Sequence, residues 1–357
     1  MLIADDSVVY RSQMRLALEG HPRIEVAGAA PHGRVALERM TQSPVQLLIL
    51  DLEMPEMDGV ATLRELQARG DQTKVLVFSS HSRRGAESSL EAMRLGACDF
   101  ISKPTSEDMA AGGSPLEILR QRLIPRIEAL FPLPQAKVIP LGTSFPRVTS
   151  VQWSLLRPKV ILIGSSTGGP TALEKIFAQL RAPLSCPVLI VQHMPPVFTA
   201  TLAERLQKIS GLTVREALHG EPLRDDQVYI APGNFHLKVA GTALAPVLAL
   251  DQGPQVNSVR PAVDHLFATA AALFGDRVLA FVLTGMGADG RDGCAALKSV
   301  GGTVVIQDEA SCVVFGMPGA VLAAGLQDRI APPDEIAAII MDKAGGLAPV
   351  RQGGGHG

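Results

Sequence analysis

Three stretches of the 357-residue chain carry side chains whose types and spacing can do chemistry. In the first, Asp5 and Asp6 close one short apolar run, Asp51 closes another, and Ser79 closes a third with a hydroxyl. Lys103 stands before Pro104 after a fourth run. In an open parallel sheet the strand C-termini converge on one crevice. Carboxylates gathered there repel each other unless a cation lies among them, and Mg²⁺ favours oxygen ligands of this kind. Taken singly, each of these aspartates reads more readily as a loop cap or turn former. Together, an acid pair, a lone Asp, a hydroxyl and a Lys make a shared pocket the better reading.

The second stretch is Gly164-Ser165-Ser166-Thr167-Gly168-Gly169-Pro170, between an apolar strand and a helical pattern at Leu173, Ile176 and Leu180. A hydroxyl here sits above the sheet at a helix N-terminus, where backbone amides carry partial positive charge suited to an oxyanion. The glycines allow a tight turn and close approach of a substrate. An N-cap hydroxyl is the plain alternative. The loop lacks both the GK[ST] ending and the GxGxxG spacing of nucleotide sites. A serine nucleophile needs a base. His193 is placed best, after the apolar VLIVQ and before Met194-Pro195-Pro196; His236 also follows a strand-like segment, His265 lies in a helical pattern, and His356 is in the tail. The third stretch, FVLTGMGADG, supplies Asp289 as an orienting acid, favoured over Asp292 and Asp276 because its Gly-rich loop offers backbone amides. Such triads are recognised by geometry, since chain order varies between folds.

Strands at 2–4, 46–51 and 74–80, with a further one at 98–101, and helices at 8–19, 33–41, 59–69, 84–95 and 115–130 predict a parallel α/β domain. A second α/β series follows, with strands at 159–164, 187–192, 227–232, 278–285 and 302–308 and helices at 170–181, 198–209, 261–274 and 290–300. Between them, Pro132, Pro134, Pro140 and Pro146 mark an extended linker. The expected organisation is a first domain over 1–104 with a closing helix to about 131, a linker over 132–157, a second domain over 158–345 and a flexible tail over 346–357. Starting at Met1, the first strand is expected to be short and weakly anchored.

Composition excludes several function classes. A formal net charge of −2 removes the electrostatic argument for nucleic-acid or anionic-membrane binding. No helix-turn-helix pattern follows the linker, and no apolar run reaches the length of a membrane helix. Cys98, Cys186, Cys294 and Cys312 lack metal-ligand spacing and read as reduced core residues of a cytoplasmic protein.

The order of DDS, LDLEMPEMDG, FSS and GACDFISKP over residues 1–104 resembles response-regulator receiver domains. That implies a flavodoxin-like (βα)5 fold in which Asp51 accepts a phosphoryl group, with a CheA-type histidine kinase as donor. Asp6, Asp51 and the Glu53 carbonyl would hold Mg²⁺, with Asp5 acting through water. Ser79 and Lys103 would contact the phosphate, and Phe100 would be the switch aromatic. GSSTGGP, VQHMPP, GEPLRDDQVYIAPGNFHL, SVRPAVD and LTGMGADG resemble the chemotaxis methylesterase family, CheB. That resemblance implies a doubly wound, mostly parallel α/β hydrolase domain with Ser166 as nucleophile, His193 as base and Asp289 as acid. The Met286 amide and Thr167 would serve the oxyanion and substrate. The implied substrates are glutamyl methyl esters, and also glutamines, on methyl-accepting chemotaxis receptors; no cofactor enters the ester chemistry. A receiver that covers the hydrolase crevice until phosphorylated is the expected control. The competing readings are a non-enzymatic receiver-linked binding module, and the same enzyme serving a non-flagellar chemosensory pathway.

Overall fold

A computed structural model describes residues 1–110, 113–133 and 150–345. The chain divides into two units, Met1–Lys137 and Val138–Gly357.

The first unit is a five-stranded parallel sheet of β1 (Leu2–Ala4), β2 (Gly28–Ala30), β3 (Leu47–Asp51), β4 (Lys74–Ser79) and β5 (Asp99–Ser102), in the order β2-β1-β3-β4-β5. β1 is short, as expected, but it is fully buried and paired on both sides. β2 is Gly-Ala-Ala, with none of the β-branched residues that mark strands in sequence, and its place at the sheet edge accounts for it. Side-chain oxygens start several of the helices: Ser7 caps Val8–Leu18, Asp58 caps Gly59–Ala68, and Ser114 with Glu117 forms a capping box on Pro115–Leu130.

The second unit is a seven-stranded parallel sheet. Its strands are β6 (Val160–Ser165), β7 (Val188–Gln192), β8 (Thr213–Glu216), β9 (Gln227–Ile230), β12 (Val278–Val282), β13 (Thr303–Gln307) and β14 (Arg329–Ala331), ordered β14-β13-β12-β6-β7-β9-β8. A separate antiparallel hairpin, β10 (His236–Thr242) with β11 (Ala245–Asp251), packs against the helix Val263–Phe274. From β6 the chain builds outward through β7 and then returns to place β12 on the other side, so the strand order reverses between β6 and β12. Open α/β sheets bind ligands at such a reversal, beyond the strand C-termini. The core strands read as near-continuous apolar runs because both faces are covered: Ile161, Leu162, Leu189, Ile190, Leu279 and Phe281 are all fully buried.

The stretch expected to be linker contains the helix Ser150–Leu155, whose Trp153 ring lies under the cations of Arg329 at 4.5 Å and Lys343 at 5.2 Å. Proline density masked that helix in sequence. Residues 134–149 and the 346–357 tail, with His356, lie outside the described residues. No helix among those described is long and apolar enough to cross a membrane.

Candidate active site

The last paired positions of β6 and β7 are Ser165 and Gln192, so Ser166 and His193 each stand one residue beyond the ends of adjacent strands. The His193 amide donates to the Ser165 carbonyl at 3.0 Å, tying the two exits together. The three neighbouring hydroxyls have different surroundings. Ser165 is fully buried and gives its proton to Gln192 Oε1 at 2.7 Å. Thr167 is also buried, whereas Ser166 is half-exposed. The helix that follows, Gly169–Phe177, starts from Gly168 at φ 77° with no side-chain cap. The N-cap position is therefore held by a glycine and not by Ser165 or Ser166.

Two buried residues that sequence reasoning passed over hold this turn. Gln192 Nε2 donates to the Ser166 carbonyl at 2.9 Å while its Oε1 takes the Ser165 proton. Thr284, just past β12, accepts from the Ser166 amide through its carbonyl at 3.0 Å and donates from Oγ1 to the Thr167 carbonyl at 2.9 Å. Their one sequence signal is a polar residue closing an apolar strand. Two glycines make room: a Cβ on Gly169 would run into Gln192 Oε1, and one on Gly285 would stand 2.8 Å from Ser166 Cβ. Gly285 thus brings the loop that continues into Met286 directly against Ser166.

His193 Nε2 and Asp289 Oδ2 are 2.8 Å apart, which leaves Nδ1 as the ring nitrogen available to act as base. Asp289 is buried and accepts further hydrogen bonds from the amides of Val263 (2.6 Å), Asp264 (3.1 Å) and Gly290 (3.1 Å) and from Asn257 Nδ2 (3.2 Å). Burial alone would push this carboxyl up. The bond and charge of His193, with the backbone donors, outweigh burial and hold it at about 2. The rival acids are placed elsewhere: Asp292 is exposed and paired with Arg291, and Asp276 is exposed on the turn leading into the opposite end of β12. The rival base His236 is fully buried, with Nδ1 accepting from the Ala262 amide at 3.2 Å and Nε2 facing the Pro254 carbonyl at 2.9 Å. Both its nitrogens are spent, and His265 stacks edge-on against it at 4.3 Å.

In the first unit, Asp5 and Asp51 are buried and Asp6 is exposed, with one oxygen of each lying within 4.8 Å of the others. Lys103 Nζ donates to Asp51 Oδ2 at 2.7 Å and stands 3.4 Å from Asp5 Oδ2, which makes no hydrogen bond. Burial and the charge of Asp51 push Asp5 up to about 6, and burial likewise raises Asp51 against the pull of Lys103. An all-oxygen donor set holding an unsatisfied buried carboxylate oxygen fits a hard divalent cation such as Mg²⁺. Ser79 is buried at the end of β4 and donates to the Gly85 carbonyl at 3.1 Å; the Glu53 amide reaches Asp51 Oδ1 at 3.3 Å; Phe100 is buried on β5.

A receiver-type acidic pocket and a hydrolase-type site on a doubly wound parallel sheet define the class: a response regulator with an enzymatic output. A CheB methylesterase family model matches residues 161–340, and a response regulator receiver domain model matches residues 1–111. The chain is 42% identical over 349 residues to a protein-glutamate methylesterase/protein-glutamine glutaminase of Trichodesmium erythraeum, covering 97% of this chain and 99% of that one. It is 43% identical over 338 residues to a protein of the same name from Nocardioides sp., covering 93% and 92%. The crystal structure of the Thermotoga maritima CheB methylesterase catalytic domain covers 52% of this chain and 99% of its own, at 43% identity and a TM-score of 0.51. The chain belongs to the CheB family of protein-glutamate methylesterases/protein-glutamine glutaminases.

Proposed function

We propose that this protein is a phosphorylation-activated hydrolase that cleaves glutamyl methyl esters, and deamidates glutamines, on chemoreceptors during chemotactic adaptation. The observation that carries the reading is the 2.8 Å pair of His193 and Asp289, with His193 at the strand end next to Ser166, the most accessible of the three neighbouring hydroxyls.

Ser166 Oγ attacks the ester carbonyl as His193 Nδ1 takes its proton. The ionised Asp289 holds the ring orientation and stabilises the imidazolium. The tetrahedral oxyanion falls to backbone amides, that of Met286 among them, with Thr167 completing the wall of that pocket. One such donor is worth roughly 3–4 kcal/mol. Collapse breaks the C–O bond, and the proton on His193 leaves with methanol. Water, deprotonated by the same His193, then cleaves the acyl-enzyme to a glutamate carboxylate and restores Ser166. With a glutamine side chain the leaving group is ammonia and the remaining steps are unchanged.

In the receiver unit Asp51 is the phosphoacceptor, supplied by a CheA-type histidine kinase in the cytoplasm. Asp6, Asp51 and the Glu53 carbonyl would hold Mg²⁺, with Asp5 behind them. The ion would supply positive charge to offset the acidic cluster and an incoming phosphoryl group. Ser79 and Lys103 are the groups positioned to meet that phosphoryl group, and Phe100 is the aromatic that would respond. The phosphoryl group adds roughly 1.5 to 2 negative charges, and the response to it releases the hydrolase. The test is methanol release from methylated chemoreceptor membranes with and without acetyl phosphate. Release that rises with the donor is expected; a folded protein that releases none from any methylated receptor would overturn the reading in favour of a binding module.

A further inference from the structure

The side chain of Asn257 is used in an unusual way. Its amide nitrogen donates to Asp264 Oδ2 at 3.0 Å and to Asp289 Oδ1 at 3.2 Å, so one NH₂ group spans two neighbouring carboxylates. The backbone is bent to present it. Asn257 and Ser258 have φ of 53° and 63°, and Val256 and Val259 close the turn with reciprocal hydrogen bonds of 3.2 and 3.0 Å. Consecutive positive φ values inside a closed two-residue turn define the I′ type, which strains most side chains but suits Asn. The turn is anchored from outside by Arg260. Its guanidinium donates to the carbonyls of Gln252 (2.8 Å) and Gly253 (2.7 Å) and to Asn234 Oδ1 (2.6 Å). This exposed loop therefore holds one amide in a fixed place beside two acids.

Two carboxylates this close disfavour joint ionisation, and the pair can relieve that by rotating apart or by sharing a proton. Either response would turn Asp289 away from His193 or blunt its charge. The Asn257 amide opposes both, because its two N–H bonds reward two ionised acceptors in one geometry. We propose that Asn257 is a positioning residue for the hydrolase, fixing Asp289 in the direction that orients His193. The inference rests on the Ser166–His193–Asp289 reading.

Two substitutions that keep the turn separate the amide from the backbone. Asn257→Gly accepts positive φ freely and deletes only the donor. Asn257→Asp also tolerates that conformation but replaces the donor with a third carboxylate. Methanol release from methylated receptor membranes by the full-length protein is expected to show kcat reduced by roughly 10- to 100-fold in Asn257→Gly with KM unchanged, the scale of misplacing a catalytic group. A larger kcat loss is expected in Asn257→Asp. Wild-type kcat in Asn257→Gly, or a loss carried by KM and equal in the two variants, would overturn the proposal. Ser166→Ala in the same assay keeps the two ideas apart: activity retained there contradicts the triad, whereas activity lost there with Asn257→Gly unaffected contradicts only the role of Asn257.

Discussion

Asp264 and Asp289 each accept hydrogen bonds from the first turn of the helix beside which the other stands. Asp289 takes the amides of Val263 and Asp264 at the start of Val263–Phe274, and Asp264 takes those of Gly290 (2.9 Å) and Gly293 (2.7 Å) at the start of Arg291–Ser299. Helix N-termini favour negative charge, so each helix stabilises the acid beside the other. The two carboxylates settle differently. Asp289 is held at about 2, while burial and the charge of Asp289 raise Asp264 to about 6 against its hydrogen bonds from Gly293 and Asn257.

The pair therefore has a pH signature. A carboxyl raised in the folded state contributes stability that is complete below its ordinary pKa and is lost as pH rises through the folded value. For Asp264 the window runs from about 4 to about 6. Asp264→Asn does not titrate, so its melting temperature relative to the parent is expected to rise across that window and level off near pH 7. Calorimetry at pH 4, 5, 6 and 7 checks this; a difference that does not change with pH contradicts it. Asp289 contributes in the opposite sense, losing its stabilisation only as pH falls toward 2, outside the window.

Gly285 gives a purely steric prediction. An added methyl group would stand 2.8 Å from Ser166 Cβ and would also meet the Met317 sulfur. Gly285→Ala is expected to cut kcat by about 10²-fold through displacement of Ser166 and its loop, a cost typical of a 1 Å misplacement. Phosphorylation of the receiver unit should be unaffected. Methanol release and phosphate incorporation, measured on one preparation, decide it.

His193 and His236 should fail in different ways. His193→Ala removes the proposed base and leaves the core intact, so activity is expected to be lost at near-parental stability. His236→Ala strands the buried Ala262 amide, at a cost of about 1–3 kcal/mol, and also removes the bond to the Pro254 carbonyl. Its activity per folded molecule should stay within about tenfold of the parent. Urea denaturation run beside the activity assay separates the two, and stable but inactive His236→Ala would reverse the assignment.

Asp51→Asn tests the control unit. It removes the proposed phosphoacceptor and its charge pairing with Lys103. No phosphate incorporation from acetyl phosphate and no stimulation of methanol release are expected, with basal release retained. Stimulation that persists would place the acceptor elsewhere.

What could be read from the sequence follows a physical divide. Ser166, His193, Asp51 and Lys103 stood out as candidates because each follows directly on an apolar run, and Asp289 because it lies in the Gly-rich loop after one; parallel sheets gather such strand ends at one edge. The supports were not, because their roles are hydrogen bonds across long sequence separations: Gln192 to Ser165, Thr284 to Thr167, Asn257 to Asp289. Strands with weak apolar character were also missed, among them Gly28–Ala30, the half-exposed Thr213–Glu216 and the short Arg329–Ala331. Pairing with a stronger neighbour fixes these, and composition carries little trace of it. The hairpin β10–β11 escaped for another reason, since His236 reads as following a strand when it opens one.

The most direct test of the account is to compare Ser166→Ala with Ser165→Ala in methanol release from methylated receptor membranes. Ser166 is the accessible hydroxyl, and Ser165 is buried and bonded to Gln192. Ser166→Ala is expected to fall by at least about 10⁴-fold with its fold intact, as loss of a triad nucleophile does, while Ser165→Ala keeps measurable turnover at lower stability. Substantial release by Ser166→Ala, or its loss only in Ser165→Ala, would contradict the account.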